Sequence, residues 1–164
     1  MTETAQPAFP PVSVHMVVKD AAAAIDFYKA AFGAEEMFRL AGSDGRIVHA
    51  SLGVCGGVIM LCDDFPEFFG GKSRDPKTLG ASPVTIHLHV PDVDALWARA
   101  VEAGCTVAAP LADQFWGDRY GKLTDPFGHE WSLATTIATP SPEEMQAAWK
   151  AMEAKMAEGC GQPS

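Results

Sequence analysis

The chain has 164 residues, 48% of them hydrophobic and 20% charged, which suffices for one folded domain and excludes a disordered chain. A net charge of −9 excludes nucleic acid as the principal partner, because neutralising a phosphate backbone takes clustered Lys and Arg. The longest apolar stretches, such as 54–62, are short and broken by glycine, so no membrane-spanning helix and no membrane partner are expected.

Residues 1–11 carry neither the basic nor the apolar segment of a secretion signal and are expected to be a flexible lead-in. None of the four cysteines forms a CxxC pair. The expectation is a cytoplasmic protein with free thiols, in which Cys55 and Cys62 are small core residues. The β-rich run Val12–Asp20 ends in an aspartate suited to capping a helix over 20–32, which Gly33 stops. Three strands follow, at 35–41, 46–52 and 57–62, with turns at Ser43-Asp44-Gly45 and Gly56-Gly57. Residues 64–82 lack periodicity and read as a linker whose Phe65, Phe68 and Phe69 are able to close over a site, although such phenylalanines are more often packing residues than ligand contacts.

The pattern then repeats. Val84–Asp92 matches the opening run, with His87 in the place of His15, and leads into a helix over 92–103 stopped by Gly104. Strands are expected at 106–110, 120–124 and 130–136, with a turn at Asp125–Gly128. Ser141 caps a last helix over about 142–157, where Met145, Ala148, Trp149, Met152 and Met156 fall at helical spacing. That helix either packs on its own domain or serves as a dimer contact or lid. The fold class is α+β: tandem βαβββ modules at 12–63 and 83–137 form a curved mixed sheet around a small-molecule pocket. The C-terminal helix and tail occupy 138–164.

Alternation along each strand decides which side chains share a face. Val14, Met16 and Val18, then Ile86 and Leu88, fall on the helix side. So do Val48, Ala50, Leu52, Ile59, Leu61, Trp131 and Leu133. His15, His49, Met60, Cys62, His87, His89 and Ser132 fall on the other side and are the candidates for one shared cavity. A single histidine on a sheet is more often a hydrogen-bonded structural residue, so it is the convergence of several that points to a site. Trp116, Arg119 and Tyr120, ahead of the seventh strand, are placed to cover a planar or anionic ligand. The alternative is hairpin packing for Trp116 and Tyr120, and pairing of Arg119 with Asp118 or Asp113.

The duplicated βαβββ pattern, Val14-His15-Met16-Val17-Val18-Lys19-Asp20 and the closing Asp125-Pro126-Phe127-Gly128-His129-Glu130-Trp131-Ser132-Leu133 resemble the vicinal-oxygen-chelate superfamily. That superfamily contains glyoxalases, bleomycin-resistance proteins and dioxygenases. Ile47-Val48-His49-Ala50 and Trp116–Gly121 resemble its PhnB-like branch. In metal-dependent members the first strand of each half supplies a His or similar ligand and the last strand a Glu or similar ligand, leaving positions open for two substrate oxygens. By that resemblance His15 and His87 take the first-strand metal positions, while Met60 and Ser132 stand where the carboxylates belong. The implied function is a metal-independent small-molecule binder with a degenerate metal site, no cofactor and a homodimeric assembly. The alternative is a metal-dependent lyase, isomerase or dioxygenase in which His89, His49 or Glu130 substitutes as ligand. No catalytic residue is assigned. A glycine-rich nucleotide loop, a Walker loop and a Gly-x-Ser-x-Gly elbow are all missing from the sequence, which argues against methyltransferase and hydrolase chemistry.

Overall fold

A computed structural model describes residues 9–159; most of the lead-in, Cys160 and the tail lie outside them. The elements are β1 (Val14–Val18), α1 (Ala21–Phe32), β2 (Glu35–Ala41), β3 (Ile47–Val54), β4 (Gly57–Asp63), α2 (Pro76–Leu79), β5 (Thr85–His89), α3 (Val93–Ala103), β6 (Thr106–Asp113), β7 (Asp118–Thr124), β8 (Glu130–Thr136) and α4 (Pro142–Gly159). A 3-10 turn, Pro66–Phe68, lies between β4 and α2. Hydrogen bonding divides the strands into two four-stranded mixed sheets, ordered β1-β4-β3-β2 and β5-β8-β7-β6. In each, the first strand pairs parallel with the last and the other pairings are antiparallel. Among the described residues no helix is long and apolar enough to cross a membrane.

Local chemistry explains the repeat. Asp20 caps α1 by accepting from the Ala23 N–H at 2.9 Å, and Asp92 caps α3 by accepting from the Ala95 N–H at 3.0 Å. Gly33, at φ 66°, closes α1 in the left-handed conformation that a side chain disfavours. Each helix is also tied to its sheet by a polar side chain. In the first module buried Asp63 accepts from the N–H groups of Ala21 at 2.9 Å and Ile47 at 2.6 Å. In the second, Thr135 Oγ1 accepts from the Val93 N–H at 2.9 Å. Ser141 and Glu144 cap α4 reciprocally, at 2.7 and 3.2 Å.

The modules join through α1 and α3 and an aromatic cluster of Tyr28, Phe32 and Trp131, all buried. Met16, Val18, Ala50, Leu52, Ile59, Leu61, Ile86, Leu88 and Leu133 supply the sheet side of the core, as their alternation requires.

Four expectations are corrected. Val48, on the helix side by alternation, is 46% exposed because it lies at the start of β3, beside a register shift in the pairing with β2. Cys55 is exposed at the β3–β4 turn with φ 48° and is not a core residue. β6 runs on to Asp113, past Pro110, because on an edge strand with register breaks the missing proline N–H costs no ladder bond. The linker is not structureless: Asp75 caps α2 by accepting from Thr78 N–H at 3.1 Å, Pro76 opens it and Gly80 closes it.

Gly121, in β7, has α3 pressed against it. A Cβ there would lie 2.5 Å from the Trp97 ring and 3.0 Å from Leu111 Cα. Gly121→Ala is expected to cost about 1–3 kcal/mol by overpacking. Urea denaturation checks this; the cost should shrink in a Trp97→Ala background, and an unchanged midpoint would contradict it.

Candidate functional site

The face of the first sheet opposite α1 is built by register. His15, Met60, Ser51 and Phe38 stand side by side across β1, β4, β3 and β2. The next positions add Cys62 beside Val17, and His49 beside Leu40. The His15 and His49 rings meet edge to face at 5.6 Å, and Phe38 lies 6.1 Å from His49. Phe38 is 52% exposed, whereas Ser51 is buried with no partner for its hydroxyl. Burial pushes the Cys62 thiol up, away from thiolate.

The second sheet carries a denser polar set. His87 Nδ1 lies 2.8 Å from Ser132 Oγ, directly across from it in register. His89 Nε2 lies 3.0 Å from Thr136 Oγ1, which donates to Asp118 at 2.9 Å. Trp116 Nε1 donates to the other Asp118 oxygen at 3.1 Å. Tyr120 stacks on His87 at 6.3 Å, and Trp116 meets Tyr120 edge-on at 5.5 Å. Lys122 Nζ and Thr85 Oγ1 hold Glu130 at 2.7 and 3.2 Å.

The histidines therefore form two groups, one per module: His15 with His49, and His87 with His89. Met60 and Cys62 belong to the first; Ser132, Tyr120 and Trp116 belong to the second. Alternation fixes which face a residue takes within a sheet, but not how two sheets face each other, and the ring contacts among these histidines fall within a module. Arg119 joins neither group. It follows Asp118 and precedes Tyr120, which puts it on the helix side of β7, where Asp94 takes it bidentately at 2.8–3.0 Å and Asp113 at 3.0 Å.

Both first-strand histidines titrate below the ordinary imidazole range. Burial is the main cause at each; His49 and Arg74 add to it at His15. His89 adds to it at His87, where Asp118 opposes. The unfolded chain then binds more protons than the folded one once the pH falls through about 6.5. This contribution to stability is expected to be complete above that value and to decline below it, down to the folded-state pKa values. Melting temperatures between about pH 7.5 and 5 test this. The His15→Asn/His87→Asn variant should show a shallower fall, and a slope identical to wild type would contradict the assignment.

A cavity of about 460 Å³ lies between β1, the chain around α2 and β5, with His15, Val17, Arg74, Leu79, Ile86 and His129 in its walls. His129 Nε2 lies 2.9 Å from the Val17 carbonyl oxygen, on the edge of β1. Sequence reasoning does not single out Arg74 or His129. The capping signal of Asp75, Pro76 and Gly80, which places a helix directly after Arg74, was available for the first; nothing in the run around His129 separates its role from that of the turn.

The Glyoxalase/Bleomycin resistance protein/Dioxygenase superfamily model matches residues 11–133. An uncharacterized protein of Mycobacterium bovis is 54% identical over 139 residues, 85% of this chain and 91% of that one. Among solved structures, TioX from Micromonospora sp. ML1 superposes with a TM-score of 0.59 at 27% identity, covering 77% of this chain and 98% of that one. A gene product of Arabidopsis thaliana superposes with a TM-score of 0.60 at 30% identity, covering 77% and 99%.

The divalent cation that superfamily members often bind can be tested against these side chains. Across from His15 stands a thioether, and across from His87 a hydroxyl already engaged with it. Glu130, the nearest carboxylate along β8, is held by Lys122. Among the described residues no group of three or more His, Cys, Asp or Glu is arranged to hold a metal ion. Soft and neutral donors of this kind do not fit a hard cation that must also bind substrate oxygens.

Proposed function

The chain belongs to the glyoxalase/bleomycin resistance protein/dioxygenase superfamily, and from that membership we propose that it is a metal-independent small-molecule binder. The observation that carries the proposal is the pair of cross-strand partners, Met60 for His15 and Ser132 for His87, where a metal centre needs carboxylates. Shape supports it too, since a cavity of about 460 Å³ is large enough for a drug-sized organic molecule. The polar face of the second sheet offers Trp116, Tyr120 and His87 as stacking surfaces for a planar ligand.

The assembly we propose is a cytoplasmic homodimer of the PhnB-like branch. The dimer is supported by the exposure of Phe38 and Leu40 beside the first histidine group, and of Trp149 on α4, whose ring centre lies 6.1 Å from that of Phe115. Light scattering tests it, and a monomer at working concentration would count against it.

Binding is tested by melting the chelator-treated protein against antibiotics, thiols and aromatic metabolites. At least one should raise the melting temperature by several degrees, since saturation at 100 times Kd is worth about 2.7 kcal/mol. No shift from any compound, or a shift that needs Mn(II), would overturn the proposal.

A further inference from the structure

We propose that the cavity beside β1 takes amphipathic organic anions, with the Arg74 guanidinium holding the acid group and Val14, Leu79, Val84 and Ile86 receiving the apolar body. This rests on the binding reading above and narrows it to a ligand class.

The charge distribution carries the inference. Arg39 is matched by Glu36, Arg46 by Asp44 and Glu67, and Arg119 by Asp94 and Asp113. Arg99 donates to the carbonyls of Ala30 and Lys29. Arg74 differs: among the described residues its guanidinium has neither a carboxylate nor a carbonyl partner, and it lies over the Phe69 ring at 3.8 Å. Asp64 takes only the backbone N–H of Arg74, at 3.2 Å. In a chain of net charge −9, an arginine left free of carboxylates is set in the wall of a cavity that no aspartate or glutamate lines.

The mounting of Arg74 is firm. The next residue, Asp75, is buried, caps α2 and accepts from Ser73 Oγ at 2.8 Å. Pro76 is buried, with the Gly128 turn of the second module packed closely against it. Stacking on Phe69 occupies the face of the guanidinium and leaves its in-plane N–H groups to grip a carboxylate or sulfonate.

The test uses two fluorescent probes that share a ring system, the anionic 1-anilinonaphthalene-8-sulfonate and the neutral N-phenyl-1-naphthylamine. Each is titrated into wild type, Arg74→Gln and Ala81→Trp, the last of which puts a large side chain on the cavity wall. Arg74→Gln is expected to weaken the sulfonate by about fivefold and to leave the neutral probe within about twofold, as loss of an exposed charge-assisted contact requires. Ala81→Trp should remove both. An unchanged sulfonate affinity in Arg74→Gln, or equal weakening of both probes, overturns the anion assignment while leaving the cavity a binding site. Failure of both probes to bind wild type at an Ala81→Trp-sensitive site overturns the binding reading and this inference with it.

Discussion

Asp125→Ala is expected to lower the melting temperature by about 10–15 °C, corresponding to about 4 kcal/mol. The carboxylate is buried and accepts from four donors: Tyr28 Oη at 2.8 Å, Trp131 Nε1 at 2.8 Å, and the N–H groups of Phe127 at 2.9 Å and His129 at 3.0 Å. Alanine leaves those donors without a partner, which costs more than the net worth of the bonds. Tyr28 remains a donor at every working pH, because burial and the Asp125 charge push its phenol well above the ordinary range. The same hub ties α1 of the first module to the last turn of the second, so its loss should loosen the join between modules. Calorimetry in wild-type and Tyr28→Phe/Trp131→Phe backgrounds separates these contributions; the substitution should cost less in the second background. A fall below about 2 °C in wild type would contradict the assigned role.

Trp131→Ala is expected to cost about 3–5 kcal/mol, as removal of a large buried aromatic does elsewhere. The indole is fully buried, 4.4 Å from the Phe32 ring and 5.4 Å from that of Tyr28. It lies on the helix side of β8 but packs on α1, which belongs to the other module. Trp131→Phe keeps most of the ring and loses the bond to Asp125, so it should cost about 1–2 kcal/mol. Chemical denaturation checks both, and equal costs for the two variants would mean that the hydrogen bond, not the packing, is what matters.

The repeat made the architecture readable. Asp20 and Asp92 announce their helices and Gly33 and Gly104 end them, because capping is a local matter that the neighbouring residues decide. Alternation likewise placed His15, Met60, His87 and Ser132 on the faces they occupy. Arg119 shows what proximity in sequence cannot settle: it adjoins Tyr120 yet points to the other side of β7, and the carboxylate that takes it bidentately, Asp94, lies in another element. The packing of module against module was equally hidden, since it depends on Trp131, Tyr28 and Phe32 meeting across distant parts of the chain. Arg74 was concealed by a stretch of Gly, Lys and Ser that lacks periodicity, although Asp75, Pro76 and Gly80 mark the short helix that positions it.

The central claim is that this fold binds its ligand without a metal. Elemental analysis of protein purified without added metal or chelator tests it most directly, alongside a His15→Ala/His87→Ala variant. Substoichiometric metal, equal in both proteins, is the predicted result. Near-stoichiometric metal in wild type that disappears in the variant would contradict the claim and establish a metal centre on these histidines.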